Sequence, residues 1–237
     1  NALAALEHIK AKGLYTIGVT GDPESDFKAV CDLVVDYGLG IETVHYVTKG
    51  VSTFVAFLMM FACEAAKVLG KMSSAEVEKT YQDILSIVDQ HPAIISAANQ
   101  WFETNIKDFS SMHILFLCSY GSNFGTIYEG ALKISETVHI PAIPLESEEF
   151  IHGPFLQLDP SYSLLFLDTG AQGSERLRSI FTASKMMTDH TFLITDQAMP
   201  GDDRVLQVMK TPNQLMNALI YLPVVQTLAY RASTYPE

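Results

Sequence analysis

Glu129, Lys133 and Glu136 stand four and three residues apart in the run ILFLCSYGSNFGTIYEGALKISET, from Ile114 to Thr137. On a helix that spacing puts two carboxylates and one ammonium on a single face. Sixteen positions after Glu136 comes His152, in the segment Glu148-Glu149-Phe150-Ile151-His152-Gly153-Pro154. A carboxylate and an imidazole beside an anion-binding loop make an acid–base pair that can move protons on a bound substrate. Each feature also has a plainer reading. Charged residues at this spacing commonly form a solvated stripe of weak ion pairs, and a single histidine is commonly structural.

The elements that must hold these groups can be read outward from them. Ile114 to Leu117 is a buried strand, and Ser119-Tyr120-Gly121-Ser122-Asn123 is a small polar loop. The helix carrying the charged triplet follows, and Pro141 to Leu145 is a short extended run. In α/β proteins a strand that ends in a glycine- and serine-bearing loop aims the N–H groups of the next helix at an anion.

Two separated motifs carry a resemblance. The run Glu129-Gly130-Ala131-Leu132-Lys133-Ile134-Ser135-Glu136, followed by Glu149-Phe150-Ile151-His152-Gly153-Pro154, resembles the second half of the double sugar-isomerase (SIS) domain family. The isomerase part of glucosamine-6-phosphate synthase has the pattern EGALKLKE and then ELKHGP. The fructosamine-6-phosphate deglycase branch keeps the glutamate and the histidine and tends to carry a stretch like Val47-Thr48-Lys49-Gly50. The resemblance covers nearly the whole chain. It implies two tandem SIS-type, doubly wound parallel-sheet (flavodoxin-like) domains joined by a helical linker. On that basis 1–72 is a partial first domain, 73–108 the linker and 109–237 the second domain. The family's serine-rich phosphate loop is expected before Asn1, and the family's isomerases continue into a tail that closes over the sugar, whose use by this protein is left open.

Composition bounds the alternatives. The 237 residues are 48% hydrophobic and 18% charged, as in a compact globular protein. A formal net charge of −12 argues against a nucleic-acid surface. Cys31, Cys63 and Cys118 lie in apolar or helical context without CxxC spacing, so they read as buried, reduced thiols of a cytoplasmic protein. The apolar run from Val51 to Cys63 reads as too short for a membrane span. No metal-ligand spacing and no GxGxxG fingerprint is present, so neither metal nor cofactor is expected.

Along the chain, short apolar strands alternate with helices, the pattern of a doubly wound parallel sheet. Helices are expected over Asn1–Lys12 (Leu3, Leu6 and Ile9 inward), 25–30, 51–69, 174–188 and 214–231, with two more between Ser73 and Lys107. Strands are expected over 14–20, 33–36, 163–168, 191–195 and 205–209. The helix from Val51 to Leu69 is apolar on nearly all sides and therefore reads as buried. His45 reads as structural or exposed.

What the resemblance implies for function is a sugar-phosphate enzyme. Glu136 and His152 are its expected acid–base residues, and Val47, Lys49 and Lys133 its expected sugar-binding residues. The histidine serves a neighbouring subunit in that family, which implies a homodimer or larger homo-oligomer with a shared site. The Val-Thr-Lys-Gly stretch favours a ketosamine-6-phosphate deglycase. A hexose-phosphate isomerase or aminotransferase of the synthase type is the alternative, and a non-catalytic sugar-phosphate-binding regulator the third.

Overall fold

The computed structural model describes residues 2–44, 46–170 and 172–235, so Asn1 and His45 lie outside the described residues. The chain divides into two compact units, Asn1–Ser73 and Ser74–Glu237.

In the first unit α1 (Ala2–Ala11) leads to β1 (Ile17–Thr20), α2 (Phe27–Val30), β2 (Leu33–Asp36) and the long α3 (Lys49–Val68). Its two strands pair in parallel, Ile17 opposite Leu33 through Thr20 opposite Asp36. The Asp32 carboxylate sets that pairing, accepting the backbone N–H and the hydroxyl of Thr16, both at 2.8 Å.

Three sequence expectations fail in this unit. The first strand is shorter than 14–20, and Leu14, Tyr15 and Ile17 are exposed, because β1 has a sheet neighbour on one side alone. The helix α1 buries no residue, and Ile9 faces solvent. Gly50 is the sole residue of α3 that is buried, while Phe54, Leu58, Met60 and Phe61 are exposed. An all-round apolar helix needs cover on every side, and a two-stranded sheet presents too little. Tyr37, Phe54, Phe57 and Phe61 form an aromatic row along it, with successive centroids 5.6–6.2 Å apart. At 20 residues α3 is also long and apolar enough, by length and composition, to cross a membrane. The apolar run is therefore longer than the sequence reading allowed.

The second unit opens with α4 (Ser74–Val88), α5 (His91–Thr104) and α6 (Ile106–Ser110). Strand and helix then alternate: β3 (Leu115–Ser119), α7 (Asn123–Thr137), β4 (Ala142–Glu146) and α8 (Ser147–His152). A 3-10 turn at Pro154–Gln157 precedes β5 (Ser163–Asp168), α9 (Ser174–Ser184), β6 (Thr191–Thr195) and β7 (Val205–Gln207). A second 3-10 turn, Gln214–Met216, runs into α10 (Asn217–Thr234).

The five strands are parallel in the order β4-β3-β5-β6-β7. This is the flavodoxin-like order, whose topological switch point lies between β3 and β5. Every residue of β3, β5 and β6 is buried, as continuous apolar runs with a helix layer on each face require. Alternation along the strands separates two cores. Phe116, Cys118 and Phe166 meet Phe150 of α8 and Phe181 of α9 on one face. On the other, Phe192 stacks on Phe109 at 4.4 Å, with Trp101 edge-on to both. There α10 crosses α7 so closely that a Cβ on Gly130 would meet Leu117 Cδ2 at 3.1 Å and Val225 Cβ at 3.4 Å. The glycine of the EGALK run thus sits in a tight packing contact, where a side chain would push on Leu117 and Val225.

Of the three cysteines only Cys118 is buried, and burial pushes its thiol well above the ordinary value. Cys31 and Cys63 are partly exposed, contrary to the expectation of buried thiols, and all three are free.

Candidate functional site

The three charged residues of α7 lie together as their spacing requires. Lys133 Nζ stands 2.7 Å from Glu136 Oε2 and 3.7 Å from Glu129 Oε1. The lysine is only 5% exposed, so this is not the solvated stripe that the spacing alone would suggest. An ammonium taken from water needs a close counter-charge, and Glu136, one-third exposed, supplies it.

Glu129 is the less satisfied member. Its side chain is 15% exposed, and Oε1 has no hydrogen-bond partner among the described residues. Burial pushes its carboxyl above the ordinary value; Lys133 opposes this and the charge of Glu136 adds to it. Sequence reasoning placed Glu129 on the right face and gave it no role. Helical spacing carries no record of depth.

His152 ends α8 and is exposed. Sequence reasoning missed this helix. It starts because the Glu146 carboxylate, at the end of β4, accepts the backbone N–H groups of Glu148 at 2.7 Å and Glu149 at 3.3 Å. Glu148 in turn pairs with Arg176 of α9 at 2.9 Å. That pairing holds the Glu148 carboxyl below its ordinary value, with a smaller contribution from His152. A cavity of about 240 Å³ between α8, the 3-10 turn and α9 is lined by Ile151, Phe155, Arg176, Ser179, Ile180 and Ala183, and His152 does not line it. No hydrogen bond or ion pair joins Glu136 to His152 among the described residues.

At the switch point, the polar loop after β3 is tied to its neighbours. Ser119 Oγ donates to the Leu167 carbonyl at 2.7 Å, and Ser122 Oγ to the Gln214 carbonyl at 3.0 Å. Tyr120 Oη donates to Asp168 Oδ1 at 3.2 Å. Asp168, fully buried, also takes Arg178 at 2.8 Å and Thr195 at 3.1 Å on Oδ2. Ser119 is thus committed inside the fold, while Ser122 stays exposed with its hydroxyl on the Gln214 carbonyl.

Val47 and Lys49 belong to the first unit, at the start of α3, and both are exposed. Lys49 Nζ donates to the Leu39 carbonyl at 3.2 Å. The segment is anchored by Glu42, which sequence reasoning missed. One oxygen accepts the N–H groups of Thr48 at 3.1 Å and Lys49 at 3.0 Å, and the other that of Gly50 at 2.8 Å. The available signal was a carboxylate shortly before a helix start, where anions are favoured. Among the described residues no group of three or more His, Cys, Asp or Glu could hold a metal ion.

No protein-family model matches the chain. Its sequence is similar to glutamine–fructose-6-phosphate aminotransferases (isomerizing). The one from Thermococcus kodakarensis is 24% identical over 97% of this chain and 38% of the relative, and the one from Gloeobacter violaceus is 24% identical over 96% and 38%. The chain therefore spans well under half the length of these curated relatives. A Clostridium difficile 630 structure, provisionally named a phosphosugar isomerase, superposes with a TM-score of 0.91 at 23% identity, over 97% of this chain and 65% of that one. The C-terminal domain of glucosamine-fructose-6-phosphate aminotransferase from Francisella tularensis gives 0.85 at 18% identity, over 98% and 65%. With its parallel sheet and these superpositions, the chain has an α/β fold that matches the SIS domain.

Proposed function

We propose that this chain acts on a sugar phosphate by proton transfer between carbons one and two, as a ketosamine-6-phosphate deglycase of the fructosamine-6-phosphate type. The observation that carries this reading is the buried Lys133 ammonium held between Glu129 and Glu136. In this cluster burial makes Glu129 bind its proton more tightly than an ordinary carboxyl does, a perturbation of the kind acid–base catalysis uses.

In the proposed sequence, His152 shuttles a proton at the ring oxygen to open the sugar. Glu136 then takes a proton from carbon one of the open-chain ketosamine while the carbon-two oxygen takes one up from water, giving an enaminol. Return of a proton to carbon two, with loss of the proton on nitrogen, gives the imine of the aldose. Water cleaves that imine to glucose 6-phosphate and the free amine. Lys133, 2.7 Å from Glu136 Oε2, orients that carboxylate and faces the oxygen on which charge develops. Val47 and Lys49 contact the sugar.

The exposure of His152 supports its service to a second copy of the chain, and so a homodimer or larger assembly. Tyr128 and Leu132, exposed on α7 near the charged triplet, fit a face that another copy covers. We read residues 1–72 as a partial SIS-type domain and residues 109–237 as a second one, with the helices of residues 73–108 as the linker in the chain.

The sequence similarity to aminotransferases favours a second reading, in which fructose 6-phosphate is isomerised or aminated. A mass-spectrometric assay separates the two. Release of amine and glucose 6-phosphate from a ketosamine 6-phosphate is expected. Turnover of fructose 6-phosphate with ammonia, and none of the ketosamine, would replace the first reading with the second.

A further inference from the structure

Glu42 spends both carboxylate oxygens on three successive backbone N–H groups, those of Thr48, Lys49 and Gly50. These are among the donors that a helix start leaves without intrahelical partners, and α3 begins at Lys49. An anion from the chain itself therefore occupies the positive end of this helix. The contact is close-fitted. A Cβ on Gly50 would lie 2.6 Å from Val47 Cγ1 and 2.9 Å from Glu42 Oε2, so the approach depends on the absence of a side chain there. Partial burial pushes the Glu42 carboxyl up, yet the three backbone donors outweigh it and hold it below its ordinary value. Two more bonds close the loop: Thr48 Oγ1 donates to the Tyr46 carbonyl at 2.8 Å, and Lys49 Nζ to the Leu39 carbonyl at 3.2 Å.

The consequence concerns the neighbours of Glu42 and not the glutamate itself. With the N–H groups of residues 48–50 occupied, the α3 terminus is closed to a substrate phosphate. The loop's remaining polar groups and the Lys49 side chain are presented from a fixed backbone. We propose that Glu42 is a positioning residue for the segment Val47–Gly50, an internal anion that fixes this segment for sugar binding. The inference rests on the proposed sugar contacts of Val47 and Lys49.

Steady-state kinetics with a ketosamine 6-phosphate and calorimetric binding of the same compound, on E42A, E42D and K49A, test it. The expected result for E42A is a KM and Kd raised roughly tenfold, with kcat within about twofold of wild type and an unchanged far-ultraviolet spectrum. Formate added to E42A should refill the vacated N–H cluster and restore KM, and E42D should recover part of it. An unchanged KM and Kd in folded E42A would overturn the proposal. So would a parallel fall of kcat, affinity and Tm that formate does not reverse, since that is plain structural loss. If K49A weakens binding and E42A does not, Glu42 alone is wrong. If neither weakens it, the sugar contacts assigned to this segment are wrong.

Discussion

Two buried charges in the second unit are built on opposite plans. Asp168, at the end of β5, is fully buried and fully partnered. Oδ1 accepts Tyr120 Oη and the Gly170 N–H, Oδ2 accepts Arg178 and Thr195, and its backbone carbonyl accepts the Tyr221 hydroxyl. Arg178 is braced further by Ser174 Oγ. Lys133 on α7 is nearly as buried, yet its two partners are unequal, and one of them keeps an oxygen without a hydrogen bond among the described residues. Burying a charge costs free energy unless the surroundings replace its water. A network in which every lone pair is used fixes loops and resists change. An incompletely satisfied one has proton affinity left to give. The fold thus keeps a structural charge at its switch point and an unequally partnered one on the neighbouring helix.

The contrast breaks most visibly at Asp168. Asp168→Ala leaves Arg178 without its carboxylate and should cost about 3–5 kcal/mol of stability, the range for removing one partner of a buried pair. Urea titration followed by circular dichroism measures it. A loss under about 1 kcal/mol, the scale of an exposed pair, would show that the network is not what holds the loops. Next comes Glu136→Gln, which preserves shape and removes the base. Its kcat should fall at least about a hundredfold while calorimetry still detects the sugar phosphate. Near-normal turnover would remove Glu136 from the chemistry. A wild-type protein that binds but never turns over would point instead to a regulator.

The strands β5 and β6 were legible to the residue, because unbroken apolar runs bounded by turn-forming residues have few other readings. The shared face of Glu129, Lys133 and Glu136 was legible for the same geometric reason. Their depth was not, since a buried and a solvated charged face have identical spacing. Composition misled at α3, where it reports how apolar a helix is and not what covers it. The Asp168–Arg178 pair was invisible, joining the end of a strand to a helix through a loop. Glu42 and Glu146 were missed because each caps a helix from outside its own pattern.

The smallest expected effect sharpens the comparison most, because it isolates the unsatisfied carboxyl. Glu129 binds its proton more tightly in the folded chain than in the unfolded one, chiefly through burial. Its contribution to stability is therefore fully present below the ordinary carboxylate value. It is lost as pH rises through the folded value, since the unfolded chain releases that proton first. Glu129→Gln cannot ionise and should not pay this penalty. Wild type and variant should melt alike in acid, and the variant should gain on wild type as pH rises above the ordinary carboxylate value. Calorimetric scans across that range read the difference directly. The variant keeps the 2.7 Å Lys133–Glu136 pair and loses the titrating neighbour, so the pH dependence of its turnover should flatten. Parallel melting curves would mean that Glu129 titrates as an exposed carboxylate does. Lys133 would then be as evenly served as Asp168, and the asymmetry that marks α7 for proton transfer would be gone.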